Sequence, residues 1–145
     1  MKAPALERTH VHVWTASLDR VGEAWLDPCV ELADDERARA DRFRTTELGR
    51  RFALTRALLR RILAAYAPVD ASALRIGYGA NGKPFLVDAP DLRFNLSHAH
   101  DRAIYAIAPG REVGIDIETT GRAVDIAGVA RRVFSHIECA ALNAL

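Results

Sequence analysis

Three shortages narrow what this chain can be. Its 145 residues include two cysteines, Cys29 and Cys139, far apart and in no CxxC pair. Two free thiols fit a reducing compartment and leave no disulfide framework to build a fold on. The longest uninterrupted apolar runs, 62–67 and 103–108, span six residues, where a membrane-spanning helix needs about 20. The first 14 residues are broken by Lys2, Glu7, Arg8 and two histidines, so no signal-peptide core is expected there. With no secretion expected, the sequon Asn95-Leu96-Ser97 carries no weight. A formal net charge of +1 means that no overall field selects a partner. No membrane is expected, nor nucleic acid, since no aromatic interleaving or known nucleic-acid module accompanies the arginines. The expected location is the cytoplasm.

Half of the residues are apolar and 27% are charged, the balance of one folded domain with a real core. The charge is unevenly placed. Residues 37–61 carry nine arginines against Asp41 and Glu47, a local excess of seven positive charges. Such a segment suggests an anionic ligand, with a few arginines on phosphates and the rest solvated.

Periodicity outlines the elements. His10 to Thr15 alternates and reads as a strand, with His10 and His12 as surface or edge histidines. Leu18 to Leu32 reads as a short helix broken at Pro28. Asp34 or Asp35 caps a helix to about Arg44. A longer helix runs from Thr46 to Tyr66 on the stripe Phe52, Thr55, Leu58, Leu59, Ile62, Leu63 and Tyr66, with Pro68 as its stop. Most of the arginines fall off that stripe. Leu74 to Tyr78 is a short strand, 79–84 a loop, Leu92 to Ser97 and Ala103 to Ala108 strands around a turn. Pro109-Gly110 leads into a further strand at Asp116. That meander predicts an α+β fold with a largely antiparallel sheet and packed helices. Val124 to Phe134 reads as a helix, and Ser135-His136-Ile137-Glu138 as a capping box that starts another.

Two stretches carry chemistry: Phe94-Asn95-Leu96-Ser97-His98, and Val113-Gly114-Ile115-Asp116-Ile117-Glu118. The second reads as a buried strand with two acids on one face, their Cα atoms about 6.5–7 Å apart. Carboxylates that close repel each other and resist burial. A divalent cation relieves both penalties, and hard oxygens at adjacent same-face positions suit Mg²⁺ with substrate phosphates. The other reading is an exposed edge pair. Adjacent strand residues point to opposite faces, so Ser97 and His98 make a poor nucleophile–base pair with Asp116. His98-Ala99-His100-Asp101 lacks further zinc ligands nearby. Lys83 before Pro84 could be a plain turn lysine, and Glu138 is explained by its capping box.

Gly82-Lys83-Pro84, the Phe94–His98 stretch, the Val113–Glu118 stretch and Arg131-Arg132-Val133-Phe134-Ser135 with Glu138 follow one another as in 4′-phosphopantetheinyl transferases. Together with the arginine-rich helix pair, residues 30 to 145 resemble the Sfp-like group. The resemblance implies a pseudo-two-fold fold of two similar halves, here 1–110 on the coenzyme A-binding side and 111–145 as an incomplete second half. It implies Mg²⁺-dependent transfer of phosphopantetheine from coenzyme A to a serine of an acyl or peptidyl carrier protein, releasing adenosine 3′,5′-bisphosphate. It implies Mg²⁺ at Asp116 and Glu118, with Lys83, Ser97 and His98 around the phosphates and Arg39 and Arg51 on the 3′-phosphate. The family's further Trp-x-x-Lys-Glu-type motif and downstream lysine are absent, since no Trp follows Trp25 and no Lys follows Lys83. The base is therefore expected beyond Leu145. The chain is expected to be a fragment, a truncated product or an inactive remnant, with partly exposed apolar faces at Ile126, Val129, Val133, Ile137 and Leu142. Two classes stay open: a transferase completed by further chain, and a non-catalytic coenzyme A- or carrier-binding module.

Overall fold

The computed structural model describes residues 3–24, 27–67, 69–119 and 125–144. Its centre is one long helix laid across one face of a small sheet. Strands β1 (His12–Ser17), β4 (Leu92–Ala99) and β5 (Arg102–Pro109) form the sheet in the order β1-β5-β4, antiparallel throughout. Phe94 stands opposite Ile107 and Leu96 opposite Tyr105. Those four side chains share the inner face, where alternate strand residues must point. The helix, α3 (Thr46–Ala64), starts at Thr45, whose hydroxyl accepts the Leu48 N–H at 3.3 Å. It buries Leu54, Leu59, Ile62 and Leu63 in one cluster with Phe94, Tyr105 and Ile107. The Tyr105 hydroxyl donates to the Thr55 carbonyl at 3.0 Å, and burial pushes its phenol well up. At the far end of α3, the Tyr66 hydroxyl meets His12 Nδ1 and Trp14 Nε1, each at 2.8 Å. His12 is thus tied into the fold, while His10 pairs with Glu7 at the surface.

Short elements surround this core. Helix α1 (Leu18–Ala24) follows β1, and a 3-10 turn over Pro28–Glu31 starts at the proline expected to break that region. Helix α2 (Asp34–Asp41) has Ala33 rather than an aspartate at its N-cap. Its first-turn glutamate, Glu36, accepts the Ala33 N–H at 3.1 Å and so does the capping itself. The expected stop of α3 at Pro68 lies outside the described residues. A two-stranded ribbon pairs β2 (Ile76–Tyr78) with β3 (Pro84–Leu86). The sequence reading placed no strand at β3, because three residues opening on a proline carry almost no period-two signal. Helices α4 (Ile126–Val133) and α5 (His136–Asn143) complete the chain. The predicted start of α4 at Val124 lies outside the described residues; Asp125 caps it by accepting the Gly128 N–H at 2.9 Å. The Ser135–Glu138 capping box forms as read.

The α+β class and the antiparallel sheet stand, but the meander does not. Strand β1 sits beside β5, and the buried strand expected at Asp116 is absent: residues 112–119 form no strand. Asp116 and Glu118 are exposed, alternating with half-buried Val113, Ile115 and Ile117. The period of two was right and the burial was wrong. Two acids on one side keep that side in water when no partner neutralises them. No helix among the described residues is long and apolar enough to cross a membrane.

Candidate active site

A cleft of about 690 Å³ opens between α2, α3 and the end of β4. Close packing builds it. Gly49 is buried where α3 meets the end of α2, and a Cβ there would lie 2.5 Å from the Ala40 carbonyl oxygen. That approach brings Arg39 over the Phe52 ring, 5.2 Å from its centroid, a cation–π stack. Arg51 and Arg56 come from α3, His98 from β4 and His100 from the following turn; Phe43, Tyr78, Pro84 and Leu96 supply apolar wall. The cleft therefore mixes arginines, histidines and Glu47 with aromatic and aliphatic side chains.

Part of the local arginine excess is matched by acids outside the segment. Arg56 Nε donates to Glu36 Oε1 at 2.7 Å and Arg60 Nε to Glu36 Oε2 at 2.6 Å, all three buried. Arg60 also donates to the Ala71 and Leu74 carbonyls, and Arg56 to the Tyr78 hydroxyl. Burial pushes the Glu36 carboxyl up, but Arg56, the Ala33 N–H and Arg60 outweigh it and hold it below the usual glutamate range. Arg61 pairs with Glu31 and Arg37 with Asp34. Arg51 donates to Glu47 at 2.6 Å, to Asp19 at 3.2 Å and to the His100 carbonyl. His100 has φ of +53°, a left-handed conformation uncommon outside glycine. The bond from Arg51 to its carbonyl helps fix that turn, and with it the placement of both histidines. The expectation of solvated arginines holds for Arg37, Arg39, Arg42, Arg44, Arg50 and Arg61, which are exposed, and is corrected for Arg56 and Arg60, which are buried.

The acid pair lies on a segment alongside β4. Ser97 Oγ donates to Asp116 Oδ1 at 2.6 Å and accepts the Ile117 N–H at 3.3 Å. Asn95 Oδ1 accepts the Ile115 N–H at 3.0 Å. Gly82, at φ of +73°, takes the left-handed turn position that favours glycine. It delivers Lys83 to the same segment, where the ammonium bonds Glu112 and, at 2.8 Å, the Val113 carbonyl. Arg93 meets the other Glu112 oxygen at 3.0 Å. The hydrogen bond from Lys83 holds the Glu112 carboxyl below its usual range, with further help from the charges of Lys83 and Arg93. Among the described residues, no three His, Cys, Asp or Glu side chains gather as a metal cage. Asp116 and Glu118 offer two exposed carboxylates two residues apart, the complement Mg²⁺ takes when phosphates and water fill its other positions.

Residues 14–110 match the family described as 4′-phosphopantetheinyl transferase, N-terminal. This chain belongs to the 4′-phosphopantetheinyl transferase family. It is 37% identical over 138 residues to the 4′-phosphopantetheinyl transferase HetI of Nostoc sp., covering 93% of this chain and 58% of that protein. To the 4′-phosphopantetheinyl transferase Sfp of Bacillus subtilis it is 31% identical over 107 residues, covering 74% and 46%. To the human L-aminoadipate-semialdehyde dehydrogenase-phosphopantetheinyl transferase it is 29% identical over 101 residues, covering 66% and 33%. The chain spans about half the length of such relatives.

Within this Sfp-type transferase chain, the residues singled out from sequence divide between two places. Arg39, Arg51 and His98 line the cleft, and Pro84 joins them. Lys83, Ser97, Asp116 and Glu118 belong to the neighbouring segment, Ser97 and His98 taking opposite sides of β4. Sequence reasoning passed over Asn95, although it quoted the motif that contains it. It also passed over the acids on the arginines, Glu36, Glu47 and Asp19. Glu47 four residues before Arg51 is a helical ion-pair spacing and could have been read. Glu36 and Asp19 are joined to their partners only by the fold.

Proposed function

We propose that this chain supplies the coenzyme A-binding half and the acid pair of an Mg²⁺-dependent 4′-phosphopantetheinyl transferase. The observation that carries the reading is the cleft itself, where Arg39, Arg51 and His98 line one cavity together with aromatic and aliphatic side chains. Its chemistry suits a ligand with a planar base and phosphates. Arg39 and His98 face the 3′-phosphate, while Arg51 adds charge and holds the turn that carries the histidines. Residues 1–110 form the first half and 111–145 open the second. The cytoplasm is the matching location, since coenzyme A and acyl or peptidyl carrier proteins are the proposed partners.

In the reaction, a carrier-protein serine oxygen attacks the phosphorus that bears pantetheine. The bond from that phosphorus to the bridging oxygen breaks, and adenosine 3′,5′-bisphosphate leaves. Asp116 and Glu118 would hold Mg²⁺, which neutralises charge growing on the pyrophosphate oxygens. Ser97 orients Asp116 by donating to its near oxygen. Lys83, once it exchanges Glu112 for a phosphate, adds a mobile point charge. These residues bind and neutralise; the serine proton is assigned to none of them.

The experiment is mass spectrometry of an apo-carrier protein incubated with coenzyme A, Mg²⁺ and a version of the protein extended to the full length of its relatives. The carrier should gain one phosphopantetheine, and Asp116→Ala or Glu118→Ala should stop it. A carrier left unmodified by the wild-type protein, beside normal calorimetric binding of coenzyme A, would replace transfer by a binding role.

A further inference from the structure

The acid pair rides on a segment that borrows its register from side chains. Among the described residues, no backbone hydrogen bond joins 112–119 to β4. A strand held that way is free to slip, and a slip of one residue turns every side chain to the other side. Here slippage meets a row of polar side chains at matched spacing. Arg93, Asn95 and Ser97 alternate along β4 with Phe94 and Leu96, so they share the face turned away from the core cluster. Arg93 engages Glu112, Asn95 engages the Ile115 N–H and Ser97 engages the Ile117 N–H. Two residues along β4 from Asn95 to Ser97 match two residues along the segment from Ile115 to Ile117. Lys83 adds a rung from the β2–β3 turn at the Val113 carbonyl.

We propose that Asn95 is a positioning residue that sets the register of residues 112–119 and so aims Asp116 and Glu118 at one point. The proposal rests on reading those two acids as the divalent-cation ligands. Asn95 is the middle rung, and its neighbours cannot do its work. Ser97 is committed on both sides of its oxygen, donating to Asp116 and accepting from Ile117. The Glu112 rung is an exposed ion pair, which water and salt weaken. A neutral side-chain acceptor on a half-buried backbone N–H keeps its bond in salt, and it adds no charge beside two carboxylates. Removing it lets Ile115 slip, which separates the two carboxylates from their common target.

The test compares wild type, Asn95→Ala and Asn95→Asp in two measurements. The first is amide hydrogen exchange at Ile115 and Ile117, with Tyr105 in β5 as the fold control. The second is Mn²⁺ binding followed by electron paramagnetic resonance, with the metal alone as probe. Asn95→Ala should speed exchange at Ile115 by about tenfold, roughly the weight of one hydrogen bond, and weaken Mn²⁺ binding by a similar factor. Tyr105 should be unchanged. Asn95→Asp keeps the acceptor and should restore protection at Ile115. If Asn95→Ala does not fold, Asn95→Leu, which keeps the bulk but offers no acceptor to Ile115, takes its place. Wild-type protection at Ile115 in the variant that lacks the acceptor, or equal Mn²⁺ affinity, would overturn the proposal. A wild-type protein that binds no Mn²⁺ would overturn the cation reading instead, and exchange at Ile115 would still decide the register.

Discussion

Residues 3–110 and residues 112–144 are held by different forces. In the first region α3 lies on a sheet whose inner face is closed: Leu59, Leu63, Tyr105 and Ile107 have no measurable exposure. Its buried charge cluster, Glu36 with Arg56 and Arg60, leaves no buried side-chain nitrogen or oxygen without a partner. In the second region the extended segment hangs on side chains from Lys83, Arg93, Asn95 and Ser97. The helices that follow leave Val133 67% and Ile137 83% exposed. Apolar burial is non-directional and tolerates repacking, whereas a row of hydrogen bonds fixes register and little else. The cleft is therefore built by packing, and the acid pair is aimed by polar contacts.

Substitutions can break this contrast. The largest effect is expected at Glu36. Glu36→Gln leaves two buried guanidiniums without their carboxylate and should cost about 3–5 kcal/mol in chemical denaturation. Because the folded Glu36 carboxyl titrates below its unfolded value, its contribution is complete above the usual glutamate range. It is lost as pH falls through the folded value. Wild type should therefore lose stability on acidification more steeply than Glu36→Gln. Leu63→Ala should follow, at about 2–5 kcal/mol for a cavity under α3. Arg51→Ala should lower both melting temperature and anion affinity, since its fork pins the His100 turn. Arg39→Ala should lower affinity alone, and a matching loss of melting temperature would show that the two arginines share one structural role. Ser97→Ala should cost about 1 kcal/mol and raise the Mg²⁺ needed for half-maximal transfer. Smallest of all, Ile137→Ser should stay within about 0.5 kcal/mol, as an exposed side chain has little burial to lose. A larger loss would mean that α5 packs more tightly in solution than its exposure indicates.

The same division decided what could be read from sequence. The stripe Leu59, Ile62, Leu63 repeats at helical spacing, so α3 was legible almost to its ends. Ser135 announced its helix because a cap is a local event. Residues 113–118 alternate faithfully, and the acid pair was found on that alternation. What alternation does not encode is a partner: the expected ladder to a neighbouring strand is replaced by Asn95 and Ser97, which lie about 20 residues earlier in the chain. Two residues of the arginine segment, Arg56 and Arg60, misled for a related reason. The segment's excess charge is real along the chain, but Asp19, Glu31, Asp34 and Glu36 offset part of it in space. Arg56 and Arg60 looked solvated because a buried arginine requires a buried acid, and Glu36 reaches them only after α2 folds back on α3.

The central claim is that the cleft lined by Arg39, Arg51 and His98 takes the 3′-phosphate end of coenzyme A. Calorimetric titration of coenzyme A and of dephospho-coenzyme A into wild type, Arg39→Ala and His98→Ala tests it most directly. Wild type should bind coenzyme A more tightly than the dephospho form, with the difference shrinking as salt rises and in both variants. Equal affinity for the two ligands in all three proteins would contradict the account.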